Sequence, residues 1–213
     1  MQLIGMLDSP YVRRVAIAFH ELNLPYEHRP LSVFRDVDEY VKINPLIKAP
    51  TVVCDNGEVL MDSTLILAYL DKLSGKNLMP SALATYQTAL RLIGLGLNAC
   101  DKSVQIVYER DLRPADKQYE HWRDRVQTQL TRAYDLLEPY AANGSSWLLN
   151  DHLTQADITV CVAWQFTQFT SPHLIQAAQY PAIAALSARA EALPSFMATP
   201  LTPDWSAKPL PRD

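Results

Sequence analysis

No apolar run in this 213-residue chain comes near the roughly 20 consecutive residues that a bilayer-spanning helix needs, so a function inside a membrane is not expected. Cysteine is scarce as well. Cys54, Cys100 and Cys161 are widely spaced and include no CxxC pair, which argues against a disulfide framework and a zinc site. Neither sign of charge dominates: 19 Lys and Arg residues stand against 23 Asp and Glu, a formal net charge of −4. Such a balance has no electrostatic footprint for nucleic acid. The five histidines are scattered, and "FHELNL" lacks the second His of a metalloprotease pair, so no metal is expected. "MQLIGMLDSPYVRR" has no basic start and its apolar stretch stops at Asp8, unlike a secretory leader. These absences leave the expectation of a soluble protein of a reducing cytoplasm. Its 48% of hydrophobic residues suffices for one large core or two small ones.

What is present begins with strand and helix in alternation. "LIGML" is a short apolar run, and Val12, Val15, Ala16, Phe19 and Leu22 then recur at helical spacing, so a buried strand leads into an amphipathic helix. Ser9 and Pro10 open that helix; Asn23 and Pro25 end it. Ser9 has two readings at this point, a helix cap or a hydroxyl beside a reacting group. "PYEHRPLSV" predicts a second strand, parallel to the first and confined to an edge or ended by Pro30. "TVVC" and "EVLM" flank Asp55-Asn56-Gly57, a hairpin signal that makes the next two strands antiparallel. Ser63 then starts a helix with Leu65, Ile66, Tyr69, Leu70 and Leu73 on one face.

"LSGKNLMPSALATY" interrupts the pattern with Gly75, Pro80 and small polar residues and reads as a linker. Beyond it only helices are expected, at about 84–107, 113–140, 154–169 and 181–193. Thr154-x-x-Asp157 is a capping box opening the third of them. From Pro194 the chain is too rich in proline to continue a helix and is expected to run extended or disordered. The predicted organisation is an α/β domain over residues 1–78, a linker over 79–86, and an all-α bundle over 87–213 with an extended C-terminal tail.

A βαβ-ββα thioredoxin-like domain followed by an all-helical bundle resembles the cytosolic glutathione S-transferases. "SPYVRRV", "NPLIKAPTVV", "DSTLILAYL" and "LTQADITV" are similar to the family's markers in the right order and cover essentially the whole chain. The resemblance is to bacterial-type members with a serine hydroxyl at the first strand-helix turn.

That resemblance implies glutathione as co-substrate, no metal, a small hydrophobic electrophile as second substrate, and a two-fold homodimer. It implies that Ser9 stabilises the glutathione thiolate, with Tyr11 as the runner-up on the same turn. Cysteine is absent from position 9, which argues against reduction through an enzyme thiol. Pro50 is expected to follow a cis peptide bond that turns the backbone of Ala49 towards the cysteinyl part of glutathione. Ser63 would hold the γ-glutamyl carboxylate and Asp62 its ammonium, although many relatives have Glu or Gln where this chain has Asp62. Arg35, with Lys48 as competitor, would meet the glycyl carboxylate. Tyr11, Val104 and Tyr108 are the candidate lining of the electrophile pocket, expected between the domains. A glutathione-dependent isomerase or peroxidase, and a non-catalytic adaptor, are the alternatives on the same scaffold.

Overall fold

The computed structural model describes residues 1–149 and 152–201, and the chain divides into two compact units. The first comprises Met1–Asn77 together with the described residues from Pro194 onward; the second is Leu78–Leu193.

In the first unit β1 (Gln2–Ile4) leads to α1 (Pro10–Glu21), β2 (Glu27–Arg29), α2 (Val37–Ile43), β3 (Thr51–Val53), β4 (Val59–Met61) and α3 (Ser63–Ser74). The sheet order is β2-β1-β3-β4, with β1 parallel to β2 and antiparallel to β3, and β3 antiparallel to β4. Each strand is only three residues long, and Leu3, Ile4 and Val52 supply the sheet's fully buried apolar side chains. This is the expected βαβ unit followed by a hairpin and a helix. The second strand stops at Arg29 on the sheet edge, because proline has no amide to give the ladder.

From Val12 to Phe19 every residue of α1 is buried. The helix ends where Asn23 takes φ 54°, with Leu24 N donating to Phe19 O (2.9 Å) and Asn23 N to His20 O (3.0 Å). That is a Schellman ending, which uses asparagine's tolerance of the left-handed region.

The helix α2 was not expected from the sequence. Its seven residues bury only Tyr40, so no apolar stripe exists for periodicity to find.

The second unit contains α4 (Leu83–Asp111), α5 (Glu120–Ala141), α6 (Gln155–Thr170) and α7 (Pro181–Glu191), with short 3-10 turns at Ala115–Lys117 and Ala177–Gln179. Its core element is α6, most of which is buried. Gly96 of α4 admits it closely: a Cβ there would lie 3.0 Å from Thr159 Cγ2. The Asp157 carboxylate accepts from Thr154 N (2.8 Å), Thr154 Oγ1 (2.6 Å) and Leu148 N (2.8 Å), so the predicted capping box is present. The fifth helix starts later than expected, at Glu120 rather than near 113. An Arg113–Glu109 ion pair (2.8 Å) and a bond from Tyr119 N to Glu109 Oε1 (2.9 Å) fold the intervening chain back over the end of α4.

The stretch from Pro194 departs from the expected extended tail. A short helix, α8 (Pro194–Met197), forms because proline suits the first helical position, where its missing N–H costs nothing. Phe196 is fully buried beneath Arg13, whose guanidinium carbon lies 5.7 Å from the ring centroid, and Arg13 Nε donates to Thr199 O at 2.8 Å. These contacts hold the segment to α1 in the first unit rather than in the helical bundle. The remainder of the expected tail, 202–213, lies outside the described residues.

Candidate functional site

Three stretches of the first unit converge on α1. The first is the turn that leads into it. Ser9 is the N-cap (φ −72°, ψ 122°), half-buried, and its Oγ accepts from Val12 N at 3.4 Å, with Pro10 in the first helical position. Because Oγ is only the acceptor in that long bond, the hydroxyl proton is left to be donated elsewhere. The amides and positive end of α1 begin at the same point. Tyr11 follows in the first turn and is half-buried.

The second stretch is the loop before β3. The Ala49–Pro50 bond is cis, as expected, with Ala49 half-buried and Pro50 buried. A buried polar cluster holds this loop. Tyr40 Oη (3.0 Å) and Thr51 Oγ1 (2.7 Å) both donate to Lys48 O. Asn44 Nδ2 donates to Thr51 Oγ1 (2.8 Å), and Leu46 N donates to Asn44 Oδ1 (3.0 Å). Burial raises the Tyr40 phenol above its ordinary pKa, against the opposing bond to Thr51, so it stays a neutral donor. Gly5 draws the loop to α1: a Cβ on it would lie 2.6 Å from Val12 Cγ2 and 3.2 Å from Ala49 Cβ.

The third stretch is the start of α3. Asp62 adopts φ 67° and caps the helix, its Oδ1 accepting from Thr64 N at 2.8 Å. Ser63 is buried, and its Oγ accepts from Arg14 Nη1 of α1 at 3.2 Å; the same nitrogen donates to Thr64 Oγ1 at 3.3 Å. Asp62 is exposed, so its carboxylate keeps one face towards solvent.

Ser9, Ala49, Pro50 and Ser63 are thus tied to one helix, directly or through Gly5, Val12 and Arg14. The candidate cations are both exposed. Arg35 is exposed in the turn before α2, where its backbone N donates to Ser32 Oγ (3.3 Å), and Lys48 is exposed in the loop before Ala49. Val104 and Tyr108 lie on α4 of the second unit, the first half-buried and the second exposed. Among the described residues no three His, Cys, Asp or Glu side chains group as metal ligands, and no helix is long and apolar enough to cross a membrane.

Sequence reasoning missed Arg14, Tyr40, Asn44 and Thr51. Arg14 did leave a signal: "VRRVAIAF" sets two arginines in an otherwise apolar run, and both are buried. Long cationic side chains are almost never fully buried without partners, so a charged pair on the inner face of a helix marks polar work to be done there.

Comparison with known proteins gives two successive matches along the chain. Residues 3–77 match the model of the glutathione S-transferase N-terminal domain, and residues 100–198 that of the C-terminal domain. The uncharacterised GST-like protein YibF of Escherichia coli K12 is 26% identical over 186 residues, spanning 83% of this chain and 91% of YibF. A glutathione S-transferase of Methylobacterium radiotolerans, solved with glutathione sulfonate, is 27% identical with a TM-score of 0.86, and 93% of each chain is covered. A glutathione transferase family member of Pseudomonas fluorescens Pf-5, solved with bound glutathione, is 32% identical with a TM-score of 0.79, covering 93% of this chain and 97% of that one. Both units match the same family and the fold agrees with solved members along nearly its full length, so the chain belongs to the glutathione S-transferase family.

Proposed function

We propose that this protein is a glutathione transferase that activates the glutathione thiol for attack on small hydrophobic electrophiles. The observation that carries the reading is the convergence on α1 of Ser9, the Ala49 backbone and Ser63. These are a hydroxyl donor at a helix N-terminus, a loop backbone beside a cis proline just before β3, and a hydroxyl at a second helix N-terminus. A cysteinyl peptide with an anionic end meets complementary chemistry at each. Glutathione or its sulfonate in the solved relatives supports the same ligand here.

In this reading Ala49 pairs with the cysteinyl backbone, Ser63 receives the γ-glutamyl carboxylate, and Asp62 meets the ammonium with the oxygen that does not cap α3. Arg35 or Lys48 neutralises the glycyl carboxylate from the exposed side. Ser9 Oγ donates to the sulfur, and the positive end of α1 adds to the preference for thiolate over thiol. A free thiol has a pKa of roughly 8.5, so at neutral pH this preference sets the nucleophile's concentration. Tyr11 offers an aromatic face to the electrophile. The three cysteines, Cys54, Cys100 and Cys161, are free and buried, which suits the reducing cytoplasm. A homodimer acting in detoxification completes the reading.

Replacing Ser9 with Ala removes a hydrogen bond to an anion, so kcat/KM for an aryl halide is expected to fall roughly 10- to 100-fold. The apparent pKa of the rate should rise towards that of free glutathione, so the loss is larger at pH 6.5 than at pH 9. Tyr11→Phe should change the rate far less. Conjugation unchanged by Ser9→Ala but abolished by Tyr11→Phe overturns the assignment.

A further inference from the structure

Arg14 lies on α1 with 1% of its surface exposed, and Nη1 donates to Ser63 Oγ (3.2 Å) and Thr64 Oγ1 (3.3 Å) at the start of α3. A guanidinium has donors and no acceptor, whereas each hydroxyl has one proton and two lone pairs. Both hydroxyls therefore act as acceptors towards Arg14, and each must give its single proton to something else. The Thr64 amide is already taken by Asp62 Oδ1. What α3 offers a ligand at this end is a pair of O–H groups polarised by a cation behind them, together with the positive end of the helix.

We propose that Arg14 is the positioning residue for the γ-glutamyl carboxylate: its guanidinium takes a lone pair of Ser63 and of Thr64 and so turns both hydroxyl protons towards the ligand. It touches no reacting atom. The assignment rests on the glutathione reading above and deepens it, since it makes selectivity for the carboxylated peptide a property of α1. Lysine is a weaker substitute, because it is a point charge on a flexible stem rather than a fixed planar fork.

The experiment is calorimetric titration with two peptides: glutathione, and 4-aminobutyryl-cysteinyl-glycine, which lacks only the γ-glutamyl carboxylate. The wild-type chain is expected to prefer glutathione. In Arg14→Gln the affinity for glutathione should fall about tenfold while that for the decarboxylated peptide stays within about twofold, so most of the preference disappears. In Arg14→Lys about a third of the glutathione affinity should survive, again with the second peptide unaffected. Thermal unfolding checks that each variant is folded, and should Arg14→Gln not fold, Arg14→Lys alone decides. Equal losses for both peptides mean a structural role only, and unchanged affinities mean no role; either overturns the assignment. A wild-type chain that binds glutathione but shows no preference overturns the carboxylate site at α3. One that does not bind glutathione at all overturns the functional reading itself.

Discussion

Gly5 carries a constraint that no hydrophobicity pattern reports. It adopts φ +137°, a region that side chains with a Cβ rarely enter, and an added Cβ would meet Val12 Cγ2 at 2.6 Å. Replacing it with alanine must move either α1 or the Ala49 loop, the two parts of the candidate site that Gly5 holds together. The expected cost is about 1–3 kcal/mol, near the range for overpacking a close contact. In a chain of this size that lowers the unfolding midpoint by about 2–4 °C per kcal/mol. Glutathione affinity should fall with it if the displaced groups form the proposed glutathione site; differential scanning calorimetry and titration measure the two effects. An alanine variant with wild-type midpoint and affinity refutes the constraint. In the sequence this glycine is only one position of an apolar run, whereas Ser9, Pro50, Asp62 and Ser63 are legible as turn and cap residues. Arg14 is legible as a charge in an apolar run but its partners are not, because spacing along one helix does not encode the contact with Ser63 and Thr64 of α3.

Helix ends were the most legible elements, because a cap is a contract between residues a few positions apart. The box at the start of α6 is an example: Thr154 and Asp157 are three positions apart, and the Asp157 carboxylate takes three bonds there. Replacing Asp157 with Ala should cost about 0.5–2 kcal/mol, read from urea unfolding. The pH dependence has a definite sign. Burial raises the folded pKa of Asp157 above its ordinary value, outweighing the bonds from Leu148 and Thr154 that lower it. A carboxyl raised in the folded state contributes stability that is fully present below the unfolded pKa of about 3.9 and is lost as pH rises through the folded value. The stability of the wild-type chain relative to Asp157→Asn should therefore be greatest at low pH and shrink towards neutrality. A relative stability that instead grows with pH means the bonds to the carboxylate outweigh its burial. Elements with few buried residues were illegible for the opposite reason. Nothing local marks α2, and α8 is stabilised by Arg13 of α1, which is distant in sequence.

At the scale of the molecule, the change from short apolar runs with a hairpin signal to helical spacing alone made the α/β and all-α parts legible, but not the return of the Pro194 segment to the first unit, which depends on Phe196 beneath Arg13. Each unit also leaves one helix with an apolar stripe in solvent. On α3, Leu65, Tyr69 and Leu73 recur every four residues, and Leu65 is 67% exposed. On α4, Leu83, Tyr86 and Leu90 recur at helical spacing, and Leu83 is 82% exposed. Single exposed leucines are ordinary, whereas a row of three on one helical face offers apolar area that a partner would bury. In the proposed homodimer a second copy is the partner that would cover these stripes. The prediction is that the wild-type chain sediments as two copies at micromolar concentration. Leu65→Glu combined with Leu83→Glu should shift it to a single chain, because a carboxylate left unpaired in an apolar contact costs several kcal/mol. Both leucines lie in solvent in the isolated chain, so the variant's helical circular dichroism should be unchanged. A wild-type chain of monomer mass, or a charged double variant that remains paired, removes these stripes as the dimer contact.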